Sequence, residues 1–235
     1  TLLELGWTGR MANDRYVLSD AQTASDPTLF ESVESTLIDF VTSLRLVGDV
    51  TLSKAQSRIV LDGGSLVQAT QGDLVLTADA SAYAGMNVRS TLLGFGYGQA
   101  TADAQVQVGQ ATVLAARDLT LRATADNTVS VEVGTTNIGS TSNNASNPTG
   151  YANAAVAVGL AKSTARVASG SQAVLGAGRA LALEADGEKA FGVAASGGSF
   201  GDGMVSAGIA VGLSQTSYEA SLGGELLLGL RWTDD

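Results

Sequence analysis

The chain has 235 residues and a net charge of −10, from 13 basic and 23 acidic side chains, and contains neither His nor Cys. That removes Ser-His-Asp triads, thiol nucleophiles and the His and Cys ligand sets of zinc and haem, while the acidic balance argues against a nucleic-acid footprint, which needs Lys and Arg for phosphate. Ala (36) and Gly (29) make up more than a quarter of the residues, so any core is built from small side chains; at 45% apolar the chain is still not disordered by composition.

The first residues, Thr1-Leu2-Leu3-Glu4-Leu5, lack an initiator Met, a basic stretch and an apolar signal core. The chain therefore reads as a segment or mature piece of something larger. Residues 1–47 form an N-terminal segment of their own character. Residues 1–50 hold only three Ala and three Gly, with eight acidic side chains against three basic ones. Asp26-Pro27 pairs an N-cap with Pro at the first helical position. Leu29, Phe30, Val33, Leu37, Phe40, Val41 and Leu44 then recur at spacings of three and four, which predicts an amphipathic helix over 27–45. Glu31 and Glu34 in its first half suit the helix dipole. Its polar face has only Arg45, where a membrane-surface helix would want several cations. The expected role is a cap over the first strands that follow.

From Gly48 onward apolar residues alternate, the mark of strands with one buried face. Ile59-Val60-Leu61 stops at Asp62-Gly63-Gly64, a turn signal. Asp73-Leu74-Val75-Leu76-Thr77-Ala78 returns as Asp118-Leu119-Thr120-Leu121-Arg122-Ala123 and again as Ala180-Leu181-Ala182-Leu183-Glu184-Ala185, at spacings of 45 and 62. Ala157-Val158-Gly159-Leu160-Ala161-Lys162-Ser163 returns as Ala210-Val211-Gly212-Leu213-Ser214-Gln215-Thr216. Gln172-Ala173-Val174-Leu175 matches Gln110-Ala111-Thr112-Val113-Leu114 with a one-residue slip. The unit order is constant: a small-residue strand, a Val/Leu strand, then Leu-x-Leu-x-Ala. Thr135–Gly150, rich in Thr, Ser, Asn and Gly, reads as a surface loop inserted into the middle unit.

Residues 48–235 are thus expected to be all-β repeats, either a parallel β-helix (β-solenoid) or a closed antiparallel barrel. The solenoid is favoured, because Asn-Gly hairpin signals are absent and five Phe, five Tyr and two Trp make poor membrane girdles. At roughly 20 residues per rung, about nine rungs would follow, a stack of ~43 Å at ~4.8 Å each. Leu74, Leu76, Leu119, Leu121, Leu181 and Leu183 are the expected inward positions.

The order Leu-x-Leu-x-Ala, Ala/Val-Gly strand, Ala-x-Val and Gly turn resembles the repeats of very large bacterial filamentous surface adhesins of the leukotoxin-like and haemagglutinin-like type. The resemblance covers about residues 48–230 and implies a β-solenoid. Val156-Ala157-Val158-Gly159 and Ala173-Val174-Leu175-Gly176 are also similar to head repeats of trimeric autotransporter adhesins, although those repeat near 14 residues and the spacing here is 17.

Several groups invite a chemical reading. Asp73, Asp79 and Asp118, with Asp126, Glu184 and Asp186 on equivalent edges, are candidates for paired-carboxylate work on a polysaccharide, with Arg117 nearby. Against that, an Asp before a strand ordinarily satisfies turn backbone groups, and few sugar-stacking aromatics lie near. Gly197-Gly198-Ser199-Phe200-Gly201-Asp202-Gly203-Met204 is similar to a calcium-binding nonapeptide but has Phe200 at a required Gly and occurs once. Gly94-Phe95-Gly96-Tyr97-Gly98 lacks the context of a dinucleotide site and reads as a small-residue strand.

The expectation is a non-catalytic structural or adhesive segment of a secreted or cell-surface bacterial protein, a rigid stalk or filament with no catalytic, cofactor or metal residues. Expected partners are neighbouring repeats or identical chains stacked end to end, or a host or matrix glycan or protein. Nucleic acid is not expected, nor a transmembrane helix, since no apolar run approaches ~18–20 residues. The competing readings are a carbohydrate-active β-helix enzyme, a surface-layer or filament subunit, and a trimeric autotransporter head.

Overall fold

The computed structural model describes residues 7–12, 15–20, 48–90, 93–138, 152–200 and 205–231. The helix expected over 27–45 lies outside the described residues. Within the N-terminal segment β1 (Trp7–Ala12) and β2 (Arg15–Asp20) pair antiparallel, a hairpin that the sequence reading did not anticipate. Everything else described is strand joined by short turns, with no helix among the described residues.

Twelve strands form three parallel four-stranded sheets. Sheet 1 contains β3 (Gly48–Leu61), β6 (Leu93–Val108), β9 (Ala152–Ser169) and β13 (Val205–Ser221). Sheet 2 contains β4 (Ser65–Ala69), β7 (Ala111–Ala115), β10 (Val174–Ala177) and β14 (Glu225–Leu228). Sheet 3 contains β5 (Leu74–Ser90), β8 (Asp118–Ile138), β11 (Ala180–Asp186) and β12 (Lys189–Phe200), the last two both pairing with β8. The chain visits sheets 1, 2 and 3 in that order, three times, and then enters sheets 1 and 2 once more.

The sequence repeat is the ladder register. Leu74 pairs with Leu119, and Leu119 with Leu181; Ala157 pairs with Ala210. In sheet 2 Val174 lies beside Thr112 and Leu175 beside Val113, so the expected one-residue slip does not occur. Thr and Val share a branched shape, and burial of Val113 and Leu175 on one face sets the register. A second correction concerns the size of the repeat. One circuit takes 45 to 62 residues, not about 20, because sheets 1 and 3 are made of strands up to 21 residues long. Four levels therefore stack where nine were expected, ~14 Å from first strand to last at ~4.8 Å spacing. A third concerns the loop: β8 continues to Ile138 and pairs with β12 there, and Thr135 is buried, so the first four residues of the expected loop are strand.

Sheets 1 and 3 face each other across a core graded by side-chain size. Beside sheet 2 the core holds Val106 and Val108 of β6 and Leu119 and Leu121 of β8, all buried. Farther along it holds Ala100, Ala102 and Ala104 of β6 and Ala123 and Ala125 of β8. Beyond them Val131 and Val133 press against Gly98 and Gly96; a Cβ on Gly98 would lie 2.5 Å from Val131 Cγ2. Asn127 sits between the Ala and Val stretches, and its side-chain amide donates to the Ala100 and Lys162 carbonyls of sheet 1 at 2.7 and 2.9 Å. Leu119 and Leu121, on the central strand of sheet 3, are fully buried; Leu74, Leu76, Leu181 and Leu183, on its outer strands, are half-buried against the same cluster.

Candidate functional site

The carboxylates singled out from sequence gather at two places. The first is the corner where sheet 2 passes into sheet 3. Here Gly72, Arg117 and Arg179 stack, and the next residues, Asp73, Asp118 and Ala180, stack beside them. Gly72 has φ 107, a conformation that suits Gly. The ladder continues around the bend, with Arg117 N donating to Gly72 O and Arg179 N to Arg117 O, both at 2.9 Å.

The side chains repeat that pattern. Arg117 forks onto Asp73, Nε to Oδ1 at 3.1 Å and Nη2 to Oδ2 at 3.0 Å. Arg179 forks onto Asp118, Nε to Oδ1 at 2.8 Å with Nη2 against Oδ2. The Asp118 N–H also donates to Asp73 Oδ1 at 3.2 Å. Each circuit thus supplies an Arg that reaches back to the carboxylate of the circuit before it, in the bidentate geometry that guanidinium and carboxylate share. The Arg179 hydrogen bond holds Asp118 below the usual carboxylate range, and Asp118 in turn raises Arg179. A glycosidase general acid requires the reverse, a carboxyl whose pKa is raised. This column clamps adjacent circuits together, with a guanidinium on each of its two carboxylates.

The second place is the outer face of sheet 3. Arg122 lies 3.0 Å from Asp186 and 3.8 Å from Glu184. Asp79 is in the same column as Thr124 and Asp186. Asp126 accepts the Glu188 N–H at 2.8 Å, which satisfies the backbone where β11 gives way to β12. Asp126, like Asp73 at the first corner, thus satisfies a backbone N–H as considered for these acids, although that backbone belongs to a neighbouring circuit. Asp62 does the same at the corner between sheets 1 and 2, accepting Gln110 N–H at 2.8 Å, and that bond lowers its pKa. Asp62 entered the sequence reading only as part of a turn, and Arg179 and the Arg89–Glu132 pair at 2.8 Å were not singled out from sequence.

The calcium-like run divides. Gly197–Phe200 is the end of β12, in register with Thr135–Ile138, while residues 201–204 lie outside the described residues. Among the described residues no group of three or more acidic side chains is placed to hold a metal ion. Gly94, Gly96 and Gly98 belong to β6 and face sheet 3. The aromatics between them, Phe95 and Tyr97, point the other way and are 2% exposed. With Val158 and Leu160 they form a second apolar cluster, made only of sheet 1 residues and separate from the main core. Tyr97 Oη donates to Gln99 Oε1 at 2.9 Å within it. Among the described residues no helix is long and apolar enough to cross a membrane.

Comparison with protein-family models, with curated proteins and with solved structures finds no match to this chain.

Proposed function

We propose that the chain is a rigid, non-catalytic β-solenoid segment of a secreted or cell-surface protein, serving as a stalk or filament with an adhesive role. The observation that carries this reading is the unbroken register through three parallel sheets, with Leu74, Leu119 and Leu181 in one column and Gly48, Phe95 and Val156 in another. Such a path lets a chain grow by whole circuits, the design of an extended scaffold. The commitment of Asp73, Asp118, Asp126 and Asp186 to guanidinium or backbone partners supports a structural over a hydrolytic role. The resemblance of the Leu-x-Leu-x-Ala repeats to those of filamentous adhesins agrees with it.

End-to-end assembly of identical chains is a second reading. It is favoured by the ladder edges left open among the described residues, β3, β4 and β5 at one end and β11, β12, β13 and β14 at the other, since unpaired strand edges are ready templates for pairing.

Pulling a single molecule by its termini tests the scaffold. Circuits of 45 to 62 residues should release length in steps of ~150–220 Å, at ~3.3–3.6 Å per extended residue. Steps unrelated to whole circuits would refute the reading. Incubation with polyuronides and neutral polysaccharides tests the enzyme rival. Reducing ends released faster than by heat-denatured protein would replace the scaffold reading with a hydrolase or lyase.

A further inference from the structure

The outer faces of sheets 1 and 3, on opposite sides of the core, have opposite charge near sheet 2. On sheet 1 Lys54 and Lys162 share one ladder column and Arg58 and Arg166 share another, against the acids Asp103 and Glu219. Cations thus prevail there on a chain whose net charge is −10. Lys54, Arg58 and Arg166 are exposed. Among the described residues Lys54 has no partner, and Arg58 donates to Gln107 Oε1 at 3.2 Å and to no carboxylate. On the matching stretch of sheet 3, Asp79, Asp126, Glu184 and Asp186 surround one cation, Arg122.

The core fixes how the two faces align. Val133 presses on Gly96 and Val131 on Gly98, while Asn127 reaches the carbonyls of Ala100 and Lys162. The sheets therefore run in opposite directions, with position 127 across from 100 and 101. Counted from that point, the Lys54–Lys162 column lies behind positions 126–128, beside Asp126. The Arg58–Arg166 column lies behind positions 122–124, where Asp79, Glu184 and Asp186 stand.

We propose that a second copy of the chain packs side by side with the first, the outer face of sheet 1 on the outer face of sheet 3, displaced along the sheet normal without rotation. Arg58 then meets Asp79, both in the first circuit, and Arg166 meets Glu184 and Asp186, all in the third. The exposed Val60 and Val75 of the first circuit also come together. A contact without rotation is heterologous, so each copy keeps one face of each sign free and the array stays open. The overlap, about nine strand residues by four levels, is roughly 30 by 14 Å, or ~400 Å² per copy, half the ~800 Å² of a stable complex. A single contact is therefore weak and depends on charge. It joins sides and not ends, so it is distinct from end-to-end assembly.

The test uses the full chain, which has no Cys of its own. One sample carries a nitroxide at Ser217→Cys, exposed on β13 at the rim of the sheet 1 face; the other is isotope-labelled wild type. In a mixture at about 1 mM, the range of a weak contact, amide signals at 122–126 and 184–186 of the isotope-labelled copy should lose intensity. The loss should disappear as salt rises from about 0.01 M to about 1 M, where the Debye length falls from ~30 to ~3 Å. Arg58→Glu/Arg166→Glu in the spin-labelled copy should abolish it, and Asp79→Lys/Asp186→Lys in the other copy should then restore it. Loss confined to β3, the edge that an end-to-end neighbour would offer to β13, overturns the proposal. So does the absence of any loss, or a loss indifferent to salt and to both reversals. None of these results touches the pulling test, so the stalk reading stands or falls apart from this one. Should a reversal variant unfold, the wild-type signal pattern and its salt dependence decide.

Discussion

Replacing Asn127 by Leu should destabilise the protein by about 1–3 kcal/mol. The side chain is 1% exposed, and its amide is the donor for two buried carbonyls, Ala100 O at 2.7 Å on β6 and Lys162 O at 2.9 Å on β9. Each such bond contributes about 0.5–1.5 kcal/mol net, and Leu has the same side-chain branching as Asn without the donor. The Asn127 Oδ1 has no partner among the described residues, so losing it offsets part of the cost. For a chain of this size the shift corresponds to ~2–12 °C in Tm. Urea unfolding followed by far-ultraviolet dichroism measures it, with an unchanged m-value showing that the unfolded state is the same. Asn127→Asp sharpens the test. A carboxylate at this site faces two carbonyls and cannot donate, whereas the protonated acid can donate once, so the native state raises the pKa above the unfolded value of ~3.9. The native state then binds more protons than the unfolded one. Stability of this variant should be greatest below about pH 4 and fall as pH rises toward the native pKa, by about 1.4 kcal/mol per pH unit. If Asn127→Leu is as stable as the parent, or Asn127→Asp shows the parent's pH profile, the amide does not tie the two sheets together.

Gly159→Ala should cost about 1–3 kcal/mol by overpacking, because the added methyl would overlap Val193 Cγ2 across the sheets. Val193→Ala in the same chain should restore most of that loss, and strict additivity of the two changes would show that the sheets do not meet there. Asp118 is held below the ordinary carboxylate range by Arg179, so its contribution is present above the unfolded value of ~3.9 and lost as pH falls through the lower native value. Asp118→Asn should therefore flatten the acid limb of a plot of stability against pH, and an unaltered limb would refute the clamp. Removing residues 140–149 should change stability by well under 1 kcal/mol, since doubling a loop costs only ~0.6 kcal/mol; a loss of several kcal/mol on chemical unfolding would mean that the segment packs into the core.

Parallel stacking explains why so much of the fold was legible. Equivalent residues lie beside one another, so the match of Asp73-Leu74-Val75-Leu76 to Asp118-Leu119-Thr120-Leu121 was already a statement of register. Gly63 and Gly64, at φ 67 and 76, form the turn that Asp62-Gly63-Gly64 announces. The spacings of 45 and 62 were already whole circuits, but their division into rungs of roughly 20 residues failed, because β5 runs 17 residues and β8 runs 21 without a Gly-Pro or Asn-Gly break. At the candidate site Asp73, Asp118 and Arg117 were visible as neighbours in sequence. Arg179 was not, since its carboxylate lies 61 residues away across an insertion of variable length. Phe95 and Tyr97 were hidden by their glycines: alternation showed a strand, but not that its two faces serve different layers.

The corner column has a grammar. Its successive pairs read Gly72-Asp73, Arg117-Asp118 and Arg179-Ala180. The opening pair has an anion and no cation, the middle pair has both, and the closing pair has a cation and no anion, so the written phrase is neutral. A copy of the middle circuit spliced in after itself would bring a guanidinium for the carboxylate below and a carboxylate for the guanidinium above. The stack could lengthen by any number of such insertions without stranding a charge. A unit joined outside the two end pairs would find Gly72 or Ala180 waiting and no ionic partner at that corner. Growth by internal duplication is thus electrostatically free, while extension past either end must find its cohesion elsewhere.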